Sequence, residues 1–169
     1  MNRLLGYLVT FLMLFGLFDG FLRLAGCSPQ PTRVEFHPTR GWQNKQSVTA
    51  KSKGKEFNVD VEFNSHRMRG GEFATDKPAG KQRVLFMGDS FTLGYTVAEK
   101  DLFVQLVGRE LAANGHDVEV LNGGTEGFST DQELLWFGEE GRQLKPDIVV
   151  FAPYLNDVYW NSQDHYVHR

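Results

Sequence analysis

Three short polar segments carry the residue types that acyl transfer needs. They are 88–90 (Gly-Asp-Ser), 122–127 (Asn-Gly-Gly-Thr-Glu-Gly) and 156–157 (Asn-Asp). Transfer of an acyl group from an ester requires a nucleophilic hydroxyl and hydrogen-bond donors aimed at the oxyanion that forms on the carbonyl oxygen. Ser90 is the candidate nucleophile. The candidate donors are its own backbone N–H, the backbone N–H of Gly127 and the side-chain amide of Asn156.

Each polar segment follows a short apolar run that predicts a buried strand, and the three runs are 83–87, 118–121 and 148–151. Helical patterns over 101–114 and 130–144 separate them. Strands that alternate with helices indicate right-handed crossovers and a parallel sheet. The carboxyl ends of parallel strands lie at one edge, where open α/β proteins bind ligands. The sequence therefore predicts an α/β fold whose three polar segments converge.

The second of these helices is predicted to begin at a capping residue and to bury an apolar face. Ser129 or Thr130 is the predicted cap, with Glu133 close enough to take part. Three apolar side chains are predicted to point inward, and they are Leu134, Leu135 and Phe137.

The three segments, in this order, resemble the blocks of the SGNH, or GDSL, hydrolases. Gly88-Asp89-Ser90-Phe91 resembles the first block, 122–127 is similar to the glycine block, and Asn156-Asp157 resembles the Gly-x-Asn-Asp block, with Tyr154-Leu155 in place of its glycine. The resemblance implies a three-layer α/β/α sandwich with a parallel, flavodoxin-like sheet of strand order 2-1-3-4-5. It also implies ester hydrolysis through an acyl-enzyme, with Ser90 as nucleophile, Gly127 and Asn156 as oxyanion donors, and no metal or organic cofactor.

The family's general base is a histidine in an Asp-x-x-His block near the C-terminus, and this sequence holds no such block after its third segment. Asp164 and His168 have the wrong separation, and with His165 they are interpreted as surface residues. The sandwich is therefore expected to be incomplete at its C-terminus. Strand 148–151 would then form an exposed apolar edge that favours aggregation or pairing with another chain.

The N-terminus carries an apolar segment, 4–18, behind Arg3, followed by Asp19 and Arg23. Residues 24–27 (Leu-Ala-Gly-Cys) resemble the lipobox of bacterial lipoproteins, which makes Cys27 a candidate for lipidation. An uncleaved membrane anchor is the alternative. Both interpretations make 1–27 a signal peptide or anchor and place the rest of the chain outside the cytoplasm, in the cell envelope.

Residues 28–80 are predicted to form a linker and a small β-rich lead-in, and 81–169 the SGNH hydrolase-like domain. The stretch 28–31 (Ser-Pro-Gln-Pro) suits a tether. Residues 56–63 alternate polar and apolar side chains, as a half-exposed strand does, and pairing with 34–36 is expected.

Composition narrows the possible partners. Lys+Arg 18 against Asp+Glu 21 gives a net charge of -3, and this balance does not indicate a nucleic-acid-binding surface. The single cysteine excludes an internal disulfide and a cysteine-based metal site. The expected partners are a membrane, through the N-terminus, and a small-molecule or glycan ester. Two alternatives to an esterase stay open: a non-catalytic envelope protein that binds acylated polysaccharide, and an inactive truncated fragment.

Overall fold

The structure is a computed structural model that describes residues 2–25 and 32–162 of the chain. It divides into an N-terminal unit, residues 1–30, and a main unit, residues 31–169.

The N-terminal unit contains one helix, α1 (Asn2–Leu24). Its apolar part, Arg3–Leu24, has 22 residues and a mean hydropathy of 1.9. At 1.5 Å per residue it extends about 33 Å, which is enough to cross a hydrocarbon core of about 30 Å. A signal sequence has the same length and composition, so both interpretations of this segment stand. The two charges late in the helix pair with each other, because Arg23 Nε lies 2.7 Å from Asp19 Oδ2. Cys27 lies outside the described residues.

The lead-in folds as two antiparallel hairpins. Strand β1 (Val34–His37) pairs with β2 (Gly41–Asn44), and β3 (Val48–Lys53) pairs with β4 (Asn58–Phe63). The expected pairing of 56–63 with 34–36 is therefore wrong. Each strand instead pairs with its neighbour along the chain, because a short connection closes at a low entropic cost.

The main unit is built on a parallel sheet of strands β5 (Gln82–Gly88), β6 (Val118–Asn122) and β7 (Ile148–Ala152). The strand order is β6-β5-β7, with β5 parallel to both neighbours. In order of appearance this is 2-1-3, as at the start of a flavodoxin-like sheet. The carboxyl ends of all three strands lie at one edge of the sheet, so the predicted parallel arrangement is confirmed.

Helices cover both faces of this sheet. They are α2 (Ser90–Leu93), α3 (Phe103–Ala113), α4 (Thr130–Glu139) and α5 (Leu155–Trp160). On one face Val84 and Phe86 of β5 pack against Val104 of α3. On the other, Leu85 packs in a cluster with Trp136 of α4. The predicted three-layer α/β/α sandwich is confirmed.

Helix α4 differs from its prediction in length, cap and buried face. It ends at Glu139, and a separate 3-10 turn follows over Gly141–Leu144. Ser129 is the cap, but its capping partner is the Gln132 side chain and not Glu133. The helix buries Gln132, Glu133 and Trp136, whereas Leu134 and Leu135 are exposed and Phe137 is partly buried. The spacing of apolar residues did not predict the buried face of α4, because two of its three buried residues are polar.

Strand β7 is an edge of the sheet, since within the described part of the chain it pairs only with β5. Its side chains Ile148, Val149 and Phe151 are 48%, 40% and 46% exposed. The exposed apolar edge expected at 148–151 is therefore present.

Candidate active site

Ser90 begins α2 directly after the central strand β5. A Cβ atom on Gly88 would lie 2.8 Å from the Ala152 carbonyl oxygen, so the strand end admits only glycine. Asp89 is fully buried, and its carboxylate accepts a hydrogen bond of 2.9 Å from the Phe91 N–H. This cap closes the tight turn that presents Ser90. The Ser90 N–H, as the first of the helix, has no intrahelical partner.

The glycine loop, residues 122–127, packs directly on α2. The Asn122 side-chain amide donates a 2.8 Å hydrogen bond to the Thr92 carbonyl, and its oxygen accepts one of 3.0 Å from the Gly124 N–H. A Cβ atom on Gly124 would lie 2.2 Å from Leu93 N, so glycine is required for this approach. Gly127, at the end of the loop, has a left-handed φ of 74°. No hydrogen bond from the Gly127 N–H is found among the described residues.

The third segment lies at the start of α5, after the edge strand β7. Asp157 is buried and accepts a 2.9 Å hydrogen bond from the Tyr154 N–H. The Asn156 side-chain oxygen is buried without a partner in the described part of the chain. The Tyr154 ring stacks on Phe91, with centroids 4.0 Å apart. The residues that flank Ser90 and Asn156 are therefore in contact.

A cavity of about 280 Å³ opens beside the candidate nucleophile. Its lining residues are Ser90, Phe91, Gly94, Tyr95, Thr96 and Val97. A buried guanidinium holds the loop that forms this cavity, because Arg69 donates hydrogen bonds to the carbonyls of Leu93, Gly94 and Val97. A second cavity of about 190 Å³ lies around His66 and Trp136 and contains none of the predicted site residues.

The Ser90 hydroxyl forms only a weak hydrogen bond to a possible proton acceptor. Its Oγ lies 3.4 Å from Asp89 Oδ2, which is a long hydrogen bond. Of the described histidines, His37 Nδ1 accepts from backbone N–H groups at 3.3 Å, and the His66 ring stacks on Phe73. No hydrogen bond joins Ser90 to a histidine in residues 32–162. Asp164, His165 and His168 lie outside the described residues.

Three acidic side chains are buried beneath the site: Asp89, Glu133 and Asp157. Burial, followed by the charges of Asp157 and Asp89, raises the pKa of Glu133 to about 8. Burial is also the largest cause that raises the pKa of Asp157, with the Asp89 charge adding to it. Neither Glu133 oxygen has a hydrogen-bond partner among the described residues. Glu133 is therefore protonated at neutral pH, which keeps the three carboxyl groups from ionising together.

The sequence patterns missed this role of Glu133, which they predicted to be part of a helix cap. One signal was available: Glu133 precedes Trp136 by three positions, and such residues share a helix face. The sequence patterns also assigned no role to Trp42 and Asn44 of β2. Trp42 donates a hydrogen bond to the Glu126 carbonyl, and Asn44 donates one to the Gly124 carbonyl. No local pattern identifies them, since their partners lie about 80 residues later in the chain.

A different group, His37, Glu139 and Glu140, brings three potential metal-binding atoms within 4.8 Å of one another. Arg40 lies in the same place, with a fully buried side chain. Its Nε is 3.6 Å from Glu139, and its Nη2 donates a short hydrogen bond to Glu140. The guanidinium therefore already neutralises both carboxylates, and the group is an ion-pair cluster in which Arg40 is buried and the two carboxylates are partly exposed.

Comparison with known proteins finds partial structural similarity. No protein-family model matches the chain, and no curated protein matches it. Two solved structures are similar to it: AlinE4, an esterase of the SGNH-hydrolase family, and a lipase/acylhydrolase from Enterococcus faecalis. The first has 21% identity and a TM-score of 0.43, and the match covers 50% of this chain and 46% of that one. The second has 36% identity and a TM-score of 0.38, with 43% and 38% covered.

The chain thus spans less than half the length of either solved structure that it matches.

Proposed function

We propose that the main unit is the acyl-transfer part of an ester hydrolase of SGNH type, with Ser90 as its nucleophile. The observation that carries this proposal is the position of Ser90 at the end of the central strand. The glycine loop packs against its helix on one side, and the Phe91–Tyr154 stack joins it to the Asn156 turn on the other. The two proposed donors, the Gly127 N–H and the Asn156 amide, thus belong to the connections after β6 and β7 that contact the Ser90 helix.

In the proposed reaction the Ser90 oxygen bonds to the ester carbonyl carbon, and the carbonyl π electrons move to the oxygen. The N–H groups of Ser90 and Gly127 and the amide of Asn156 stabilise that oxyanion. Its collapse breaks the bond to the leaving alcohol, which takes up the proton lost by Ser90. Water then attacks the acyl-enzyme by the same steps and releases the carboxylic acid. By resemblance to the family, a histidine carries the proton, and the described residues place none beside Ser90.

The cavity beside Ser90 supports a role in binding the acyl part of the substrate. Phe91, Tyr95 and Val97 give it apolar walls, and Thr96 adds a hydroxyl at the surface. Acetylated glycans, lipids and small esters all present an acyl group of suitable chemistry. The N-terminal unit, as a signal or an anchor, would place this site in the cell envelope, outside the cytoplasm. Lipidation of Cys27 is one way to attach it.

The test is hydrolysis of p-nitrophenyl acetate and p-nitrophenyl butyrate by the full chain in detergent. Ser90→Ala is expected to reduce kcat by about 10³-fold or more, because the nucleophile is lost. Ser65→Ala is the matched control, since Ser65 is an exposed serine bonded to Glu72. Turnover that survives Ser90→Ala would refute the proposal.

A second candidate is a protein that binds acylated polysaccharide without cleaving it. It is favoured by the Ser90 hydroxyl, whose hydrogen bond in the described structure reaches only Asp89, at 3.4 Å. This candidate predicts no ester turnover by the wild-type chain. It also predicts retention on acetylated polysaccharide and loss of retention after mild alkaline deacetylation.

A further inference from the structure

We propose that Trp42 is a positioning residue that fixes the Glu126–Gly127 peptide plane and thereby aims the Gly127 N–H at the oxyanion site. This inference rests on the proposed function, because it assigns the orientation of one proposed oxyanion donor to a residue of the lead-in. It makes the lead-in part of the active site.

One peptide unit joins the Glu126 carbonyl to the Gly127 N–H. The Trp42 indole N–H donates a 2.9 Å hydrogen bond to the Glu126 carbonyl oxygen. That carbonyl and the Gly127 N–H belong to the same planar, trans peptide, so they point in opposite directions. A carbonyl held on the side of β2 therefore directs the N–H to the other side. The N–H is also without a hydrogen-bond partner among the described residues.

The glycine after this peptide makes such a tether necessary. Gly127 has a φ of 74°, in the left-handed region. Glycine occupies positive and negative φ with similar ease, so little in its own backbone opposes rotation of the preceding peptide plane. Rotation by half a turn would exchange the positions of the carbonyl and the N–H. It would place a carbonyl oxygen where the oxyanion needs a donor.

Trp42 is itself held firmly. Its side chain belongs to the buried core, with its ring 6.0 Å from that of Phe128 in an edge-on contact. A Cβ atom on Gly127 would lie 3.4 Å from Trp42 Cζ2, so the ring also packs against the glycine itself. The donor that fixes the peptide is therefore rigid, as a positioning group must be.

Other residues of the lead-in hold neighbouring parts of the loop and leave this carbonyl to Trp42. The Asn44 amide donates to the Gly124 carbonyl at 2.9 Å and to Thr125 Oγ1 at 3.1 Å. Arg33 binds the Glu126 side chain, with Nη2 at 2.6 Å from Oε2. These contacts fix where the loop lies, whereas the Trp42 bond fixes how its last peptide is turned. Lys45→Gln serves as the control, because it removes a lead-in contact to Thr32 that lies outside this loop.

The experiment uses the full chain with Trp42→Phe, which removes the donor and keeps an aromatic ring. A second variant replaces Trp42 by benzothienylalanine, whose sulfur takes the place of the indole N–H without changing the ring shape. It serves if Trp42→Phe fails to fold. Two measurements are made: kcat and KM for p-nitrophenyl acetate, and the backbone amide signal of Gly127 in glycine-labelled protein by NMR.

We expect kcat to fall about 10-fold with KM changed less than twofold, since loss of a whole oxyanion donor costs about 10²–10³. We expect the Gly127 amide signal to shift or broaden, and the Gly124 signal to stay near wild type. Lys45→Gln should leave kcat within twofold.

A kcat within twofold of wild type, in a chain whose activity Ser90→Ala abolishes, overturns the role of Trp42 and leaves the proposed function standing. Activity that survives Ser90→Ala, or its absence from the wild type, counts against the proposed function instead. In that case the role of Trp42 is tested by the NMR measurement alone, and an unchanged Gly127 amide signal in the Trp42→Phe variant overturns it.

Discussion

The glycine loop and the turn at Asn156 would each supply one oxyanion donor, and the protein holds them in different ways. The loop is tied from outside the sheet by Arg33, Trp42 and Asn44 of the lead-in. Asn156 lies in the first turn of α5, a short helix that follows the edge strand and whose residues Leu155 and Val158 are 83% and 72% exposed. Catalysis by an oxyanion hole depends on donors that are in place before the reaction. One half of the proposed hole is preorganised by packing, and the other half relies on its own helix turn.

Asn44→Ala should produce the largest effect on stability. Asn44 is 3% exposed, and its amide donates to Arg67 O, Gly124 O and Thr125 Oγ1. The substitution leaves buried acceptors without partners, and we expect it to lower the free energy of unfolding by about 3 kcal/mol. Urea denaturation followed by circular dichroism measures this. A loss under about 1 kcal/mol would remove the contrast between the two halves of the site.

Glu133→Gln should have a smaller effect that depends on pH. The pKa of Glu133 is about 8 in the folded protein, above its ordinary value of 4.5. The folded state therefore keeps a proton that the unfolded state loses. The stability that this proton contributes is complete below pH 4.5 and is lost as the pH rises to about 8.

The Gln variant should not show this decline, so its free energy of unfolding relative to the wild type should rise steadily from pH 5 to pH 8. Denaturation curves at pH 5, 6.5 and 8 test the prediction. Parallel pH profiles for the two proteins would contradict it. The charges of Asp157 and Asp89 contribute to the raised pKa of Glu133, so this measurement also tests whether the three acidic side chains interact.

Asn156→Ala should have the smallest effect on stability, and it is the counterpart of Asn44→Ala. The Asn156 amide has no hydrogen-bond partner within the described residues, and its oxygen is buried without one. Its removal breaks no contact, so we expect the free energy of unfolding to change by less than about 0.5 kcal/mol.

The effect of Asn156→Ala on ester hydrolysis should be larger, with kcat reduced about 100-fold through loss of an oxyanion donor. The same preparation measured by denaturation and by turnover of p-nitrophenyl acetate separates the two effects. A large loss of stability would mean that Asn156 supports the fold.

The sequence predicted the parallel sheet well because its signals are local. Each of β5, β6 and β7 is an apolar run that ends at a polar segment, and the helices between them fix the direction of the strands. The lead-in was predicted less well. Period-2 alternation identifies a strand but not its partner, so the pairing of β4 with β3 was missed.

The buried face of α4 was missed for a different reason. Gln132 and Glu133 are polar, and only their tertiary contacts explain their burial. The Gln132 side chain donates a hydrogen bond to the Arg40 carbonyl, 92 residues earlier in the chain. Leu134 and Leu135, which fit the apolar pattern, face outward. The same limit applies to Trp42 and Asn44, whose contacts with the glycine loop join residues far apart in the sequence.

The stack of Phe91 on Tyr154 gives this site a spectroscopic reporter. The two rings lie 4.0 Å apart with an interplanar angle of 27°, one beside Ser90 and the other beside Asn156. Aromatic ring currents shift the resonances of protons held over a neighbouring ring face toward high field. The ring protons of Phe91 and Tyr154 should therefore resonate at unusual frequencies whenever the two halves of the site are together. Movement of α5 away from α2 would return them to ordinary positions, so proton NMR can follow assembly of the site without any substrate.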